Sequence, residues 1–591
     1  MCLCVCAYGP VACFKYMYVH LCMYTRVYVL VHVFSDFPGI LSGDVLAFID
    51  PFEKYFYNKD QKSSCIMWLL SDDLDNTELH KCKQQIQPFC QDLFDVPTDI
   101  LEKGFYNGTL FRFPLRHATH DIGNPWNLCT PDRILTQLFE TLGTEASSVL
   151  LFLNHVERIE IYVNGEGDCN AKLVLEISIN RQSLPVVQQR RKEFRGSLNC
   201  RKATMLNFPV TVEVIHRESH SDAVHTQTHA WVVSLFCVGK DEQGNVEEII
   251  SSLKVLPIGG VALPLYMYSE SRDLKFPQKD QPDGQVFSFL RLPLADRNPT
   301  GLHMHVHGYF VLDQSRRNLK WPSATHDLSN VTDPAHRWNI FLKRVLLPQA
   351  VVSLAEFIAT GEDFVDNETS QLITRDFGTS YREYFLSMLM PNPIHVTSQW
   401  KVLEELFYQK ISDRAVFFYQ HEVDVSRGSW VKPFDEKVVF DDTRHDKSEV
   451  TVCRKVLSFR GKLLVVQLRE ILAALEKHNR RKVVTVSPSI VCDCMKTGHA
   501  EYALSDAEKQ QVLKFVIDTN VTNLINVPLV PLNNNGQWTS FGKKVFLLPD
   551  RNTEMTILMT IPELQHNFIR GSLDAEVISS LRKIQHQGKV T

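Results

Sequence analysis

G-F-Y-N-G-T-L-F-R-F-P-L-R, Gly104 to Arg116, is the stretch on which the fold turns. Leu110, Arg112 and Pro114 alternate with Phe111, Phe113 and Leu115. A two-residue period of this kind is the pattern of a strand with one buried face. Gly108 and Thr109 stand at its mouth. A glycine there lets the backbone come close to something else, and the threonine supplies a hydroxyl. On these residues alone the pattern is that of a turn followed by a core strand.

Working outward, the chain has 591 residues, 44% of them hydrophobic and 22% charged. That is the balance of a globular protein with room for three or four domains. The formal net charge of -5 lacks the basic surplus of a nucleic-acid binder. The compact basic run Arg190 to Lys192 reads as a solvated segment. Of the 15 cysteines, Cys2, Cys4, Cys6, Cys13 and Cys22 crowd the start, and the others are scattered without a paired framework. Reduced thiols in a cytoplasmic protein are the reading. Cys492, Cys494 and nearby His499 lack the second pair that a closed zinc site needs.

Residues 1–30 alternate Cys, Val and Tyr as a translated simple repeat would. Lys15, His20 and Arg26 interrupt the tract, so it suits neither a signal peptide nor a membrane helix. The expectation is a low-complexity, disordered or artefactual segment. Val31 to Asp50 suits two strands about a Pro38–Gly39 turn, and a surface helix is predicted near Glu78 to Gln87. A helix is predicted at Pro131 to Leu142, with Thr130 as its cap. Val149 to Leu153 reads as a buried strand and Glu157 to Val163 as an alternating one. Further strands are predicted at Lys172 to Ile179, Val210 to His216, Ala230 to Val238, Val286 to Leu294 and His303 to Leu312. Helices then dominate. Asp333-Pro334 starts one, with Trp338, Phe341, Leu342 and Val345 on one face, and Trp400, Leu403, Phe407 and Ile411 mark another. Leu464, Leu468, Ile471 and Leu475 suggest a further helix, and Ser505-x-x-Glu508 is a capping box. Strand, turn and strand are expected over Pro528 to Phe541.

Three stretches carry a resemblance. They are S-D-F-P-G-I-L-S-G-D-V-L-A-F-I-D-P at Ser35 to Pro51, the G-T-L-F-R-F-P-L-R strand, and H-V-H-G-Y-F-V-L-D-Q-S-R-R-N-L-K-W-P at His305 to Pro322. Together they resemble the repeated region of the sacsin-like family, from about residue 31 to the end of the chain. The resemblance implies an α+β, multidomain chain. It would begin with the C-terminal part of a GHKL-type ATPase domain (31–165) of the kind found in the ninety-kilodalton heat-shock chaperone. A strand-rich domain (166–330), a mainly helical region (331–428) and a mixed α/β region (429–591) would follow.

A GHKL ATPase needs a helix with a water-orienting Glu and a magnesium-holding Asn, a D-x-G-x-G element for adenine, a glycine-rich phosphate cradle and a G-T strand. Only the last matches, as Gly108 and Thr109, and no D-x-G-x-G precedes Ser35. The chain therefore reads as an N-terminally truncated nucleotide-domain remnant without catalytic residues. No cofactor is expected, and ATP with magnesium enters only if an upstream half is restored. The family's namesake ends in a J domain whose H-P-D engages the seventy-kilodalton heat-shock chaperone; no H-P-D occurs here.

His303, His305 and His307 fall on one face if the strand alternates throughout, and three imidazoles can hold zinc or nickel. The favoured reading is structural, half-buried histidines beside Tyr309. His445–Asp446 and His120–Asp121 lack a nucleophile, and no G-x-S-x-G elbow exists. The expected function is a chaperone or co-chaperone fragment acting as a protein-binding scaffold. Its partners would be client proteins and the seventy-kilodalton machinery, with no nucleic acid and no membrane. The alternatives are an active GHKL-type chaperone lacking its first half here, and a plain structural interaction protein.

Overall fold

The computed structural model describes residues 2–7, 38–50, 57–58, 61–62, 65–70, 104–114, 143, 145–163, 172–198, 200–217, 223–242, 244–269, 274–292, 300–313, 318–321, 331–420, 428–442, 447–496, 504–517, 521–532, 537–542, 561, 569, 573 and 575–586. Helices and strands both occur, in several sheets, so the chain is α+β and multidomain. It divides into two compact units. The first comprises Met1–Gln278, Gln285–Arg297 and His305–Leu342; the second comprises Lys279–Gly284, Asn298–Met304 and Lys343–Thr591.

In the first unit, β1 (Cys2–Ala7), β2 (Gly39–Gly43), β3 (Val45–Ile49), β6 (Cys65–Leu69) and β7 (Tyr106–Pro114) form a five-stranded sheet in the order β1-β7-β2-β3-β6. Its pairs are antiparallel. The short strands β4 (Tyr57–Asn58) and β5 (Gln61–Lys62) pair with each other. Directly opposite residues share a face, so Leu41, Leu46, Phe48, Trp68 and Leu110 line one side, each at most 6% exposed. Two departures from the sequence reading occur here. Cys2–Ala7, inside the tract expected to lack packed structure, pairs along β7; the rest of that tract lies outside the described residues. The hairpin turn is Gly43–Asp44, not Pro38–Gly39: Ser42 pairs with Val45, and Gly43 has φ +59°. Glycine at the first of two loop positions is what a II′ turn requires. The helices expected at 78–87 and 131–142 lie outside the described residues.

A nine-stranded sheet follows: β8 (Arg158–Val163), β9 (Lys172–Ile179), β10 (Thr204–Arg217), β11 (Val224–Cys237), β12 (Ile258–Ser269), β13 (Leu274–Lys275), β14 (Val286–Ser288), β15 (Leu290–Arg291) and β16 (His305–Gly308). β8 pairs with β9 across the domain boundary expected at 165/166, because the alternating apolar residues of both strands feed one core. β10 and β11 form a 14-residue hairpin, from Thr204↔Cys237 to Arg217↔Val224. Phe208, Val210, Val212 and Val214 are buried at every second position of β10, whereas β11 is almost wholly buried from Ala230 onward. At Gly260 of β12 an added Cβ would lie 2.7 Å from Leu235 Cδ2, so the Leu235 side chain would have to shift to admit one. The helix Leu184–Ser197 packs on this sheet through Val187 and Phe194. Val149–Leu153 is not the expected strand. It lies in a buried run of turns over residues 146–152, and short apolar runs do not distinguish the two by pattern.

The helix Pro334–Phe341 closes this unit, capped as predicted: Asp333 Oδ1 accepts from Ala335 N at 2.8 Å. A π-helical turn, Leu342–Leu346, comes next, and in the second unit Leu347–Thr360 continues as an α-helix. The helices Asn367–Phe377, Tyr381–Leu389 and Lys401–Lys410 follow. Trp400, Leu403, Phe407 and Ile411 are all at most 1% exposed, as their spacing indicates. Further on, β17 (Phe417–Gln420) pairs with β18 (Gly428–Val431), β19 (Val438–Asp441) with β20 (Leu463–Val466), and β21 (Val530–Pro531) with β22 (Trp538–Thr539). Leu464 belongs to β20 and Leu468 caps the helix Arg469–Asn479, so only Ile471 and Leu475 of that predicted stripe are helical. The Ser505/Glu508 capping box is present in full.

Candidate functional site

β7 carries both residues singled out in the sequence. Thr109 is 5% exposed and sits opposite Ser42 of β2. The two hydroxyls lie 2.6 Å apart, a short hydrogen bond in which either oxygen can donate. Just past them the β2–β7 register shifts, where Gly43 turns the chain. An added Cβ at Gly108 would lie 3.1 Å from the Tyr106 ring. Ser42 was not singled out from the sequence, although S-G-D at Ser42 to Asp44 lies in a quoted motif. Chemically the site is a hydroxyl pair that can offer one further donor and lone pairs to a polar ligand edge. It holds no charge of its own.

The three histidines do not share one face. β16 starts at His305, so His303 precedes the strand and falls in the second unit. There its Nε2 lies 2.9 Å from Lys279 O. His305 and His307 are 7% and 3% exposed. Gln285 N donates to His305 Nδ1 at 3.1 Å, and Phe289 N donates to His307 Nδ1 at 3.4 Å. Aromatic rings surround them. His307 stacks on Phe152 at 4.6 Å, and His305 lies 4.9 Å from Trp231 and 5.1 Å from Phe287. Burial pushes both imidazoles down to about 3, so they are neutral, with Nδ1 already engaged by the backbone. Among the described residues no group of three or more His, Cys, Asp or Glu is arranged to hold a metal ion. Cys492 and Cys494 are buried in the helix Pro488–Met495, and burial pushes the Cys492 thiol up to about 11; His499 lies outside the described residues. So do His120–Asp121 and His445–Asp446.

Among the buried cations of the described residues, Arg191 and Lys343 escaped the sequence reading. Arg191, from the run expected to be solvated, is 3% exposed; its Nη2 donates to Leu150 O at 2.7 Å and its Nη1 to Val156 O at 3.2 Å. Arg195 Nη1 donates to Asn154 O at 2.8 Å. The two guanidinium groups thus pin the 150–156 segment to the helix Leu184–Ser197. Lys343 is fully buried; its Nζ sits 4.0 Å from the Trp400 ring centroid and donates to Gln399 O at 3.3 Å. Only the tertiary contacts reveal either position.

A Sacsin domain family model matches residues 26–176, the part that holds the hydroxyl pair and β8. Sacsin from Homo sapiens is 27% identical over 580 residues, which cover 94% of this chain. The chain is similar to sacsin along most of its length. That alignment spans 12% of the length of human sacsin, so the sacsin-like chain corresponds to a small part of that protein. No helix among the described residues of the sacsin-like chain is long and apolar enough to cross a membrane.

Proposed function

We propose that this sacsin-like chain is a chaperone or co-chaperone segment that holds non-native protein rather than an enzyme. The observation that carries the proposal is the outer face of β6. That strand ends the five-stranded sheet, and its alternate residues Cys65, Met67 and Leu69 face solvent, with Met67 57% and Leu69 38% exposed. An end strand with an apolar outward face is a surface on which an extended apolar segment can dock, and a solitary protein normally blunts it with charge. The chemistry that fits is a non-native client chain exposing hydrophobic residues. Among the described residues Cys65, Cys200, Cys237, Cys453, Cys492 and Cys494 stand outside any disulfide, which agrees with a reducing, cytoplasmic setting.

The reading assigns no ATP turnover to these residues. Thr109, its one nucleotide-type group, is hydrogen-bonded to Ser42. A hydroxyl contributes about 1 kcal/mol net, whereas micromolar affinity needs about 8 kcal/mol. Suppression of aggregation of a thermally unfolding model client, with and without magnesium-ATP, tests the proposal. Suppression should be present, independent of nucleotide, and reduced by Met67→Lys with Leu69→Lys. No suppression at all would leave a purely structural interaction protein as the better description.

A further inference from the structure

The β10–β11 hairpin brings together two histidines that no motif marks. His216 pairs directly with His225 at the last-but-one position of the ladder. Directly opposite residues of an antiparallel pair share a face and have Cβ atoms about 4.5–5.5 Å apart. Two imidazoles bound to one metal at about 2.0–2.1 Å stand about 3.3 Å apart at their nitrogens in tetrahedral geometry, a spacing that such a Cβ separation permits. The neighbours support the face. Leu175 of β9 pairs with His216 on its other side and is fully buried, so it provides an apolar floor. Val214 and Gln227 form the next pair on the same face, and Arg217 is turned to the opposite face by the pleat. His225 is exposed and His216 half-buried, so the pair is open on one side to water ligands.

We propose that His216 and His225 form a two-imidazole binding site for a late first-row divalent cation of the nickel, copper or zinc class. Imidazole pairs suit these ions, and water completes the coordination. The site differs from His305 and His307 in exposure: those two are buried, whereas His225 is open to solvent. Bound metal would cross-link the paired ends of β10 and β11.

The test uses the full chain, stripped with chelator and titrated with Ni2+ by calorimetry in parallel with two variants. His225→Asn alters an exposed side chain, so its fold is secure; His216→Asn provides the other half. One equivalent bound by the native chain should weaken about tenfold or more in each variant. Loading with Cu2+ should give an electron paramagnetic resonance spectrum with two imidazole nitrogens in the native chain and fewer in His225→Asn. Equal Ni2+ affinity in native chain and His225→Asn, or no bound equivalent in the native chain, would overturn the proposal.

Discussion

Arg191 in the first unit and Lys343 in the second are both cut off from water, yet they are held in different ways. Arg191 spreads its charge over a planar fork that reaches two backbone carbonyls, and burial lowers its pKa only to about 10, so it remains a cation. Lys343 is a point charge set against the Trp400 ring face and the Gln399 carbonyl, and burial lowers it to about 7, where it is half neutral. A guanidinium can thus act as a permanent clamp for irregular backbone, whereas an ammonium in a similar setting becomes a group whose charge follows pH.

Removing the clamp should have the largest effect. Arg191→Met leaves the Leu150 and Val156 carbonyls without their charged donor and should cost about 3 kcal/mol. Calorimetry should show the first unit's melting temperature fall by about 6–12 °C; a change below about 2 °C would mean that the segment does not depend on the clamp. Lys343 should give a pH signature instead. Its folded pKa lies below the unfolded value of about 10.4, so between pH 7 and 10 the unfolded chain holds more protons and stability rises with pH. The second unit's melting temperature should climb over that window, and Lys343→Met should be flatter and more stable at pH 7.

The histidines of β16 work in the acid range. Their folded pKa of about 3 lies below the ordinary 6.5, so stability is full above pH 6.5 and is lost as pH falls towards 3. His307→Phe, which places a ring among Phe152, Phe289 and Tyr309, should cost about 1 kcal/mol at pH 7, because Phe289 N loses its acceptor, and should lessen the acid-induced fall in melting temperature. The smallest expected effect is at the hydroxyl pair. Thr109→Val should cost about 1 kcal/mol through the lost Ser42 bond. It should also leave magnesium-ATP calorimetry unchanged; tight binding abolished by this substitution would restore a nucleotide role for the site.

What the sequence reveals follows the range of the interaction. Asp333, Ser505 and Glu508 cap their own helices within three residues, and Trp400 to Ile411 repeats at helical spacing, so these were legible. β9, β10 and the second half of β11 were expected from the sequence, whereas β12 was not. Arg191 was not legible because its partners lie 35 and 41 residues away. The His303 to His307 alternation misled because β16 begins only at His305. Leu464 and Leu468 mimicked a helical stripe although β20 ends at Val466 and the helix begins only at Arg469. Ser42 became part of the candidate site only when the β2–β7 register set it opposite Thr109.

The central claim, a nucleotide-independent holder of non-native protein, is met most directly by light scattering of an aggregating client in the presence of the purified chain. The account predicts that scattering is suppressed equally with and without magnesium-ATP, that no phosphate is released, and that Met67→Lys with Leu69→Lys restores most of the aggregation. Suppression that appears only with ATP, together with phosphate release, would contradict it.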